Sequence, residues 1–147
     1  MNHFTPPNEH YKTVVTQIVG SMPAAKSLGF TFHSLEPGRC VLELKVRPEL
    51  TEHQGWFQGG AIGSLIDFSG GSACGTMLKP GHLLMTLDYS VKLLRPANSE
   101  VLFAEGIVLS SSQLLSTAEV SVWKGEIGHD LCAKGLVSTR NIEPVER

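Results

Sequence analysis

Residues 58–78 read QGGAIGSLIDFSGGSACGTML, and this stretch decides the fold. Its apolar residues cover most of a helix circumference, which predicts a buried helix of roughly five turns over 59–78. Gly59, Gly60, Gly63, Gly70, Gly71 and Gly75 lie inside it, each costing about 1 kcal/mol relative to Ala in a helix interior. Another element must therefore approach the backbone closely enough to offset that cost, and a sheet wrapped tightly around the helix does so.

The flanking sequence supplies that sheet. Lys79-Pro80-Gly81 ends the helix, and strand-like runs follow at 83–94, 101–109, 116–123 and 131–139. Pro96-Ala97-Asn98, Ser110-Ser111-Ser112 and Lys124-Gly125-Glu126 mark the turns between them. Connections this short favour an antiparallel meander, because parallel crossovers need a dozen or more residues. Upstream, Pro37-Gly38 turns a first hairpin over 28–46. Before it, Asn8 is placed to cap a helix whose apolar positions Val14, Val15, Ile18, Val19 and Met22 recur at helical spacing and which ends near Pro23. The order is helix, hairpin, long helix, four strands. This is an α+β arrangement in a single domain of 147 residues, with about 1–8 and 141–147 expected to be loose termini.

Composition excludes several classes. With 41% hydrophobic and 18% charged residues and a net charge of −2, neither nucleic acid nor a membrane surface is implied as a partner. The N-terminus lacks a basic segment followed by an apolar one, so a cytoplasmic location is the expectation. Cys40, Cys74 and Cys132 are widely spaced within apolar runs, which reads as buried reduced thiols rather than a metal or disulfide framework.

The chemistry concentrates in the long helix. Its first turn offers unpaired N–H groups to a polarised oxygen, at Gln58-Gly59-Gly60. Asp67 follows in apolar company, and its neighbours at three and four residues, Gly63, Ser64, Gly70 and Gly71, include no base to pair with it. An unpaired acid of this kind suits base or nucleophile chemistry. Thr86, in the next strand, is placed to orient a water or to hydrogen-bond Asp67. His53 has no Ser or Cys partner at a recognisable spacing and reads as a loop residue. No GxSxG, Walker, GxGxxG or HExxH pattern is present.

At these residues the chain resembles the hotdog-fold thioesterases, specifically the PaaI-like acyl-coenzyme A thioesterases. The resemblance is carried by residues 55–60 with Asp67, by residues 86–97 and by the final strand at 131–139. In that family the loop reads Asn-x-x-Gly-x-x-His-Gly-Gly with an acid following on the helix. Gly55, Gly59, Gly60 and Asp67 match, whereas Glu52 and Gln58 stand where Asn and His are usual.

The resemblance implies a long helix wrapped by a curved antiparallel sheet, and hydrolysis of an acyl-CoA thioester to free acid and CoA. The Gly60 N–H would stabilise the oxyanion, Gln58 would assist by donating from its amide, and Asp67 would act as base or nucleophile with Thr86 positioning water. Gly59, Trp56, Phe57 and Arg95 would contact substrate. Lys124 and Arg140 are further candidates for the CoA phosphates, and Phe68, Met77 and Met85 further candidates for pocket walls. No metal or redox cofactor is implied, since CoA arrives as part of the substrate. The resemblance also implies a homodimer, or a dimer of dimers, with Gly60 from one protomer facing Asp67 and Thr86 of the other. A hotdog dehydratase or hydratase and a non-catalytic acyl-CoA-binding module remain alternative readings.

Overall fold

The computed structural model describes residues 3–145. The first helix, α1 (Tyr11–Ser21), buries Val15 and Val19, one turn apart on one face. Asn8 does not cap it. His10 occupies the N-cap, and the Asn8 side chain instead accepts the His10 N–H at 3.0 Å in the turn before the helix. Pro23 follows the end of α1 but also begins a second helix, α2 (Pro23–Leu28), because its fixed φ and missing N–H suit a first helical position. The Arg47 guanidinium donates to Leu28 O at 2.6 Å and to Ser27 O, which places a cation on the C-terminus of α2.

Strands β1 (Thr31–Glu36) and β2 (Arg39–Lys45) form the hairpin around Pro37-Gly38. A 3₁₀ turn (Pro48–Leu50) and a loop lead into the long helix α3 (Gly59–Gly75). Then β3 (Leu83–Leu93), β4 (Val101–Ser111), β5 (Leu115–Lys124) and β6 (Asp130–Ile142) complete a six-stranded sheet in the order β1-β2-β4-β5-β6-β3. Every pairing in it is antiparallel.

The expected meander holds for β4, β5 and β6. β3 departs from it: β2 pairs along β4 from Arg39↔Ile107 to Lys45↔Val101, and β5 takes the other side. With neither edge of β4 free, β3 crosses to the far end and pairs only with β6.

α3 packs against β2, β3, β4, β5 and β6. The core is therefore the helix and the sheet face around it, with Leu65 and Ile66 of α3, Leu42 and Leu44 of β2, and Leu102 of β4 fully buried. Gly70 and Gly106 are among the glycines that permit the close wrap. A Cβ on Gly70 would sit 2.5 Å from Val137 Cγ2, and one on Gly106 of β4 would sit 2.7 Å from Ser69 O. At the same crossing the buried Ser69 hydroxyl donates to Ala104 O at 2.9 Å.

The close approach does not extend to every glycine of the helix. Gly63 makes ordinary contacts, and Gly71 faces open space. α3 also stops short of residue 78. Thr76 Oγ1 donates to Ala73 O at 2.7 Å and accepts the Gly38 N–H at 2.8 Å, pinning the helix end to the first hairpin, and residues 76–78 continue as turns.

The termini are less loose than expected. Phe4 packs against the core, and residues 141 and 142 continue β6; residues 1–2 and 146–147 lie outside the described residues. Among the described residues no helix is long and apolar enough to cross a membrane.

Candidate active site

The loop before α3 is held by Glu52. One carboxylate oxygen accepts the N–H groups of Gln54 at 2.9 Å and Trp56 at 3.0 Å, while the Glu52 backbone exchanges bonds with Trp56 O and Gly55 N. A carboxylate accepting two backbone bonds organises this turn at the position where Asn is usual. Glu52 is thus a loop-building residue rather than a departure without a role. His53 is exposed, with its ring 3.0 Å from the other Glu52 oxygen.

Gln58 is the N-cap of α3. Its Oε1 accepts the Gly60 N–H at 2.5 Å and the Ala61 N–H at 3.3 Å. Both partners are donors, so the amide presents its oxygen to them, and the donation to a substrate oxygen expected of Gln58 belongs to its other amide atom, Nε2. The first-turn group expected to meet a substrate carbonyl is capped by the chain itself.

Asp67 lies two turns further along α3, roughly 10 Å from Gly60 along the axis. Its partner is Thr86, whose hydroxyl donates to Asp67 Oδ1 at 2.8 Å. Both residues are half-buried. The β3 register slips here: Thr86 faces Thr139 and Asp88 faces Ser138 on β6, leaving Leu87 as the extra residue of a bulge. Bulges of this kind re-aim neighbouring side chains.

The pair opens on an apolar cavity of about 250 Å³ between α1, α3 and the start of β3. Its α3 wall runs from Asp67 to Gly75 and on to Leu78 and Lys79, so the acid lies at one end. Phe68 lines the cavity, and its ring stands 4.9 Å from that of Phe30. Opposite stand Val15, Ile18 and Val19 of α1, a wall that reading the sequence assigns only to packing. The signal was present in the breadth of the apolar face of α1: Ile18 and Met22 remain exposed after Val15 and Val19 have been buried.

The remaining candidates are elsewhere. Phe57 is buried in the core, Trp56 is half-buried in the Glu52 turn, and Gly59 faces Leu93; none lines the cavity. Met85 is exposed on β3, and Met77 lines a separate depression beside Asn141. Arg95 donates to Leu131 O at 3.1 Å and shares Asp130 with Lys124, while Arg140 is exposed. The three cysteines are buried and free; burial pushes the Cys40 thiol up to about 12 and those of Cys74 and Cys132 up to about 11.

Known structures share this fold. A thioesterase family protein of Silicibacter pomeroyi superposes with a TM-score of 0.86 at 21% identity, over 90% of this chain and 98% of that one. The E. coli PaaI protein, from the phenylacetic acid degradation operon, gives 0.81 at 18% identity over 92% and 95%. A Haemophilus influenzae thioesterase gives 0.81 at 20% identity over 99% and 96%. The fold is therefore that of the hotdog proteins. In sequence, a Saccharolobus solfataricus protein named provisionally as an esterase is 29% identical over 111 residues, 74% of this chain and 71% of that protein. A family model described as "Domain of unknown function (DUF4442)" matches residues 12–122, a span that holds α3, Asp67 and Thr86, and the chain belongs to that family.

Proposed function

We propose that this protein hydrolyses acyl-CoA thioesters. The observation that carries the reading is the Asp67–Thr86 pair, a carboxylate and a hydroxyl 2.8 Å apart at one end of an apolar cavity. The names of the superposed thioesterases and of the esterase relative point the same way.

Thr86 donates its hydrogen to Oδ1, so its oxygen keeps lone pairs to hold a water, and Asp67 Oδ2 remains to take a proton from that water. The water oxygen bonds to the thioester carbonyl carbon as Asp67 accepts the proton. The C–S bond then breaks, and the sulfur leaves as the CoA thiol with that proton.

The developing oxyanion needs donors, and the Gly60 N–H of a second copy is the candidate, because within one chain Gly60 stands too far from Asp67. The edge of β3 supports such pairing. Among the described residues it has no neighbour on its outer side, and it exposes Leu83, Met85, Leu87 and Leu93, an edge of the kind that adds a further strand. Gln58 must release the Gly60 N–H for a substrate oxygen to take its place.

The test is release of free CoA thiol from short, medium, long and aryl acyl-CoAs by the purified protein. Asp67→Asn should lower kcat by at least ~100-fold, the usual worth of a positioned base. Activity that survives Asp67→Asn refutes the assignment. A change in enoyl absorbance without thiol release would identify a hydratase, and saturable binding without turnover a binding module.

A further inference from the structure

Gly71 is a glycine without a structural reason. At Gly70 a Cβ would collide with Val137, and at Gly75 it would press on Val15 Cγ2 at 3.2 Å, but at Gly71 it would meet none of the described residues within 4 Å. The residue is helical, with no need of a positive φ. Alanine there would strengthen the helix, so the glycine keeps something empty rather than letting something approach.

What it keeps empty is the cavity beside the acid. Asp67, Gly71 and Gly75 are spaced four residues apart and share one face of α3. α1 closes against that face at Gly75, through Val15, and Gly71 lies one turn nearer Asp67, where the two helices leave open space. The surrounding walls include the apolar Val15, Ile18, Val19, Phe68 and Leu84, alongside the polar Ser72, Lys79 and His82.

We infer that this chamber between α1 and α3 takes the acyl group of the substrate, and that Gly71 sets how long that group can be. The inference rests on the thioesterase reading for the identity of the substrate, and on the geometry alone for the chamber. A cavity of about 250 Å³ has room for a chain of several carbons. The substrate class is a medium-length aliphatic acyl thioester, its carbonyl at Asp67 and Thr86 and its chain running along α3 past Gly71. A leucine at 71 adds four carbons to the space beside Asp67.

The experiment compares butyryl-CoA and octanoyl-CoA on the wild type, Gly71→Leu and Ile18→Trp, the last filling the chamber from the opposite, half-exposed wall. Circular dichroism checks that each variant folds. The wild type should favour octanoyl-CoA. Because each methylene excluded from an apolar pocket is worth roughly tenfold or more, the octanoyl-to-butyryl ratio of kcat/KM should fall at least tenfold in both variants. An unchanged ratio overturns the inference; so does an equal loss on both substrates, which would mean that the chamber holds the part common to all CoA esters. Should the wild type turn over no acyl-CoA, the thioesterase reading fails by itself. The chamber is then judged by displacement of a fluorescent fatty acid: octanoate should compete on the wild type and at least tenfold more weakly on Gly71→Leu, and equal competition overturns the inference.

Discussion

The adjacent glycines Gly70 and Gly71 should respond to alanine with opposite signs. Both lie inside α3, so each substitution gains about 1 kcal/mol of helix propensity. At Gly71 none of the described residues lies within 4 Å of the new methyl, and the whole gain should appear as stability. At Gly70 the methyl would lie 2.5 Å from Val137 Cγ2 and 2.7 Å from Val137 Cβ. Because Cβ itself is too close, rotating the valine does not relieve the clash, and β6 or α3 must move. Overpacking of this sort costs about 1–3 kcal/mol and occasionally more, and a contact involving Cβ puts Gly70 at the upper end. The net expectation is about +1 kcal/mol for Gly71→Ala and about −2 kcal/mol for Gly70→Ala. For a chain of this size that separates the two melting temperatures by about 6–12 °C. Thermal and urea unfolding by circular dichroism, at one protein concentration, measure both. If the two variants shift in the same direction, the placement of α3 against β6 is wrong.

Other substitutions probe the site and the core. Thr86→Val removes the hydroxyl beside Asp67 and should lower kcat by about 10–100-fold with little change in melting temperature, whereas Thr86→Ser should restore most of it; equal loss in both variants would assign Thr86 to packing. Gln58→Glu puts a full negative charge on the Gly60 and Ala61 N–H groups. It should raise stability by about 0.3–1 kcal/mol while lowering kcat/KM, and a variant that gained both would show that the cap does not compete with substrate. The buried Cys40 and Cys74 thiols hold their protons to about 12 and 11 in the folded state, against about 8.5 when unfolded. The unfolded chain loses those protons first, so stability is fully present below pH 8.5 and falls above it, by about 1.4 kcal/mol per pH unit for each thiol. Urea unfolding from pH 8 to 10.5 measures this, and a slope left unchanged when both cysteines are replaced by alanine would contradict it.

The elements of the fold are local and were legible: α3 from its apolar circumference, the hairpin from Pro37-Gly38, the strands from their runs between turns. What was not legible depends on competition between distant parts. The edge that β3 occupies follows from β2 reaching β4 over a separation of some sixty residues, and no local pattern records that. The glycines divide in the same way. Gly70 and Gly71 are the same residue in the same helix, and only the face each one presents to Val137 or to α1 tells a packing glycine from a cavity glycine. The Asp67–Thr86 contact could be anticipated because a lone acid among apolar neighbours needs a partner and the next strand offers a hydroxyl. The cap at Gln58 was legible in principle, since a polar side chain directly before two glycines stands at an N-cap position. The helix geometry turns its oxygen to the Gly60 and Ala61 N–H groups, while the donation the resemblance implies would come from its amide nitrogen.

That cap turns the proposed oxyanion site into a competition whose outcome depends on charge. A neutral hydrogen bond such as Gln58 Oε1 to Gly60 N–H is worth about 0.5–1.5 kcal/mol net. A ground-state thioester carbonyl, also neutral, gains no more than that from the same N–H and has little advantage over Gln58. The transition-state oxygen is different, because a donor aimed at a developing oxyanion is worth about 2.7–4 kcal/mol. Gln58 is therefore displaced mainly as charge develops, not as substrate binds. A group that blocks the ground state and yields to the transition state costs affinity and leaves most of the rate, which is how differential binding lowers a barrier. Under the proposed mechanism, glutamine at 58 would preserve hydrolysis without the imidazole. Its carboxylate isostere, which holds the N–H more firmly and repels the oxyanion, would not.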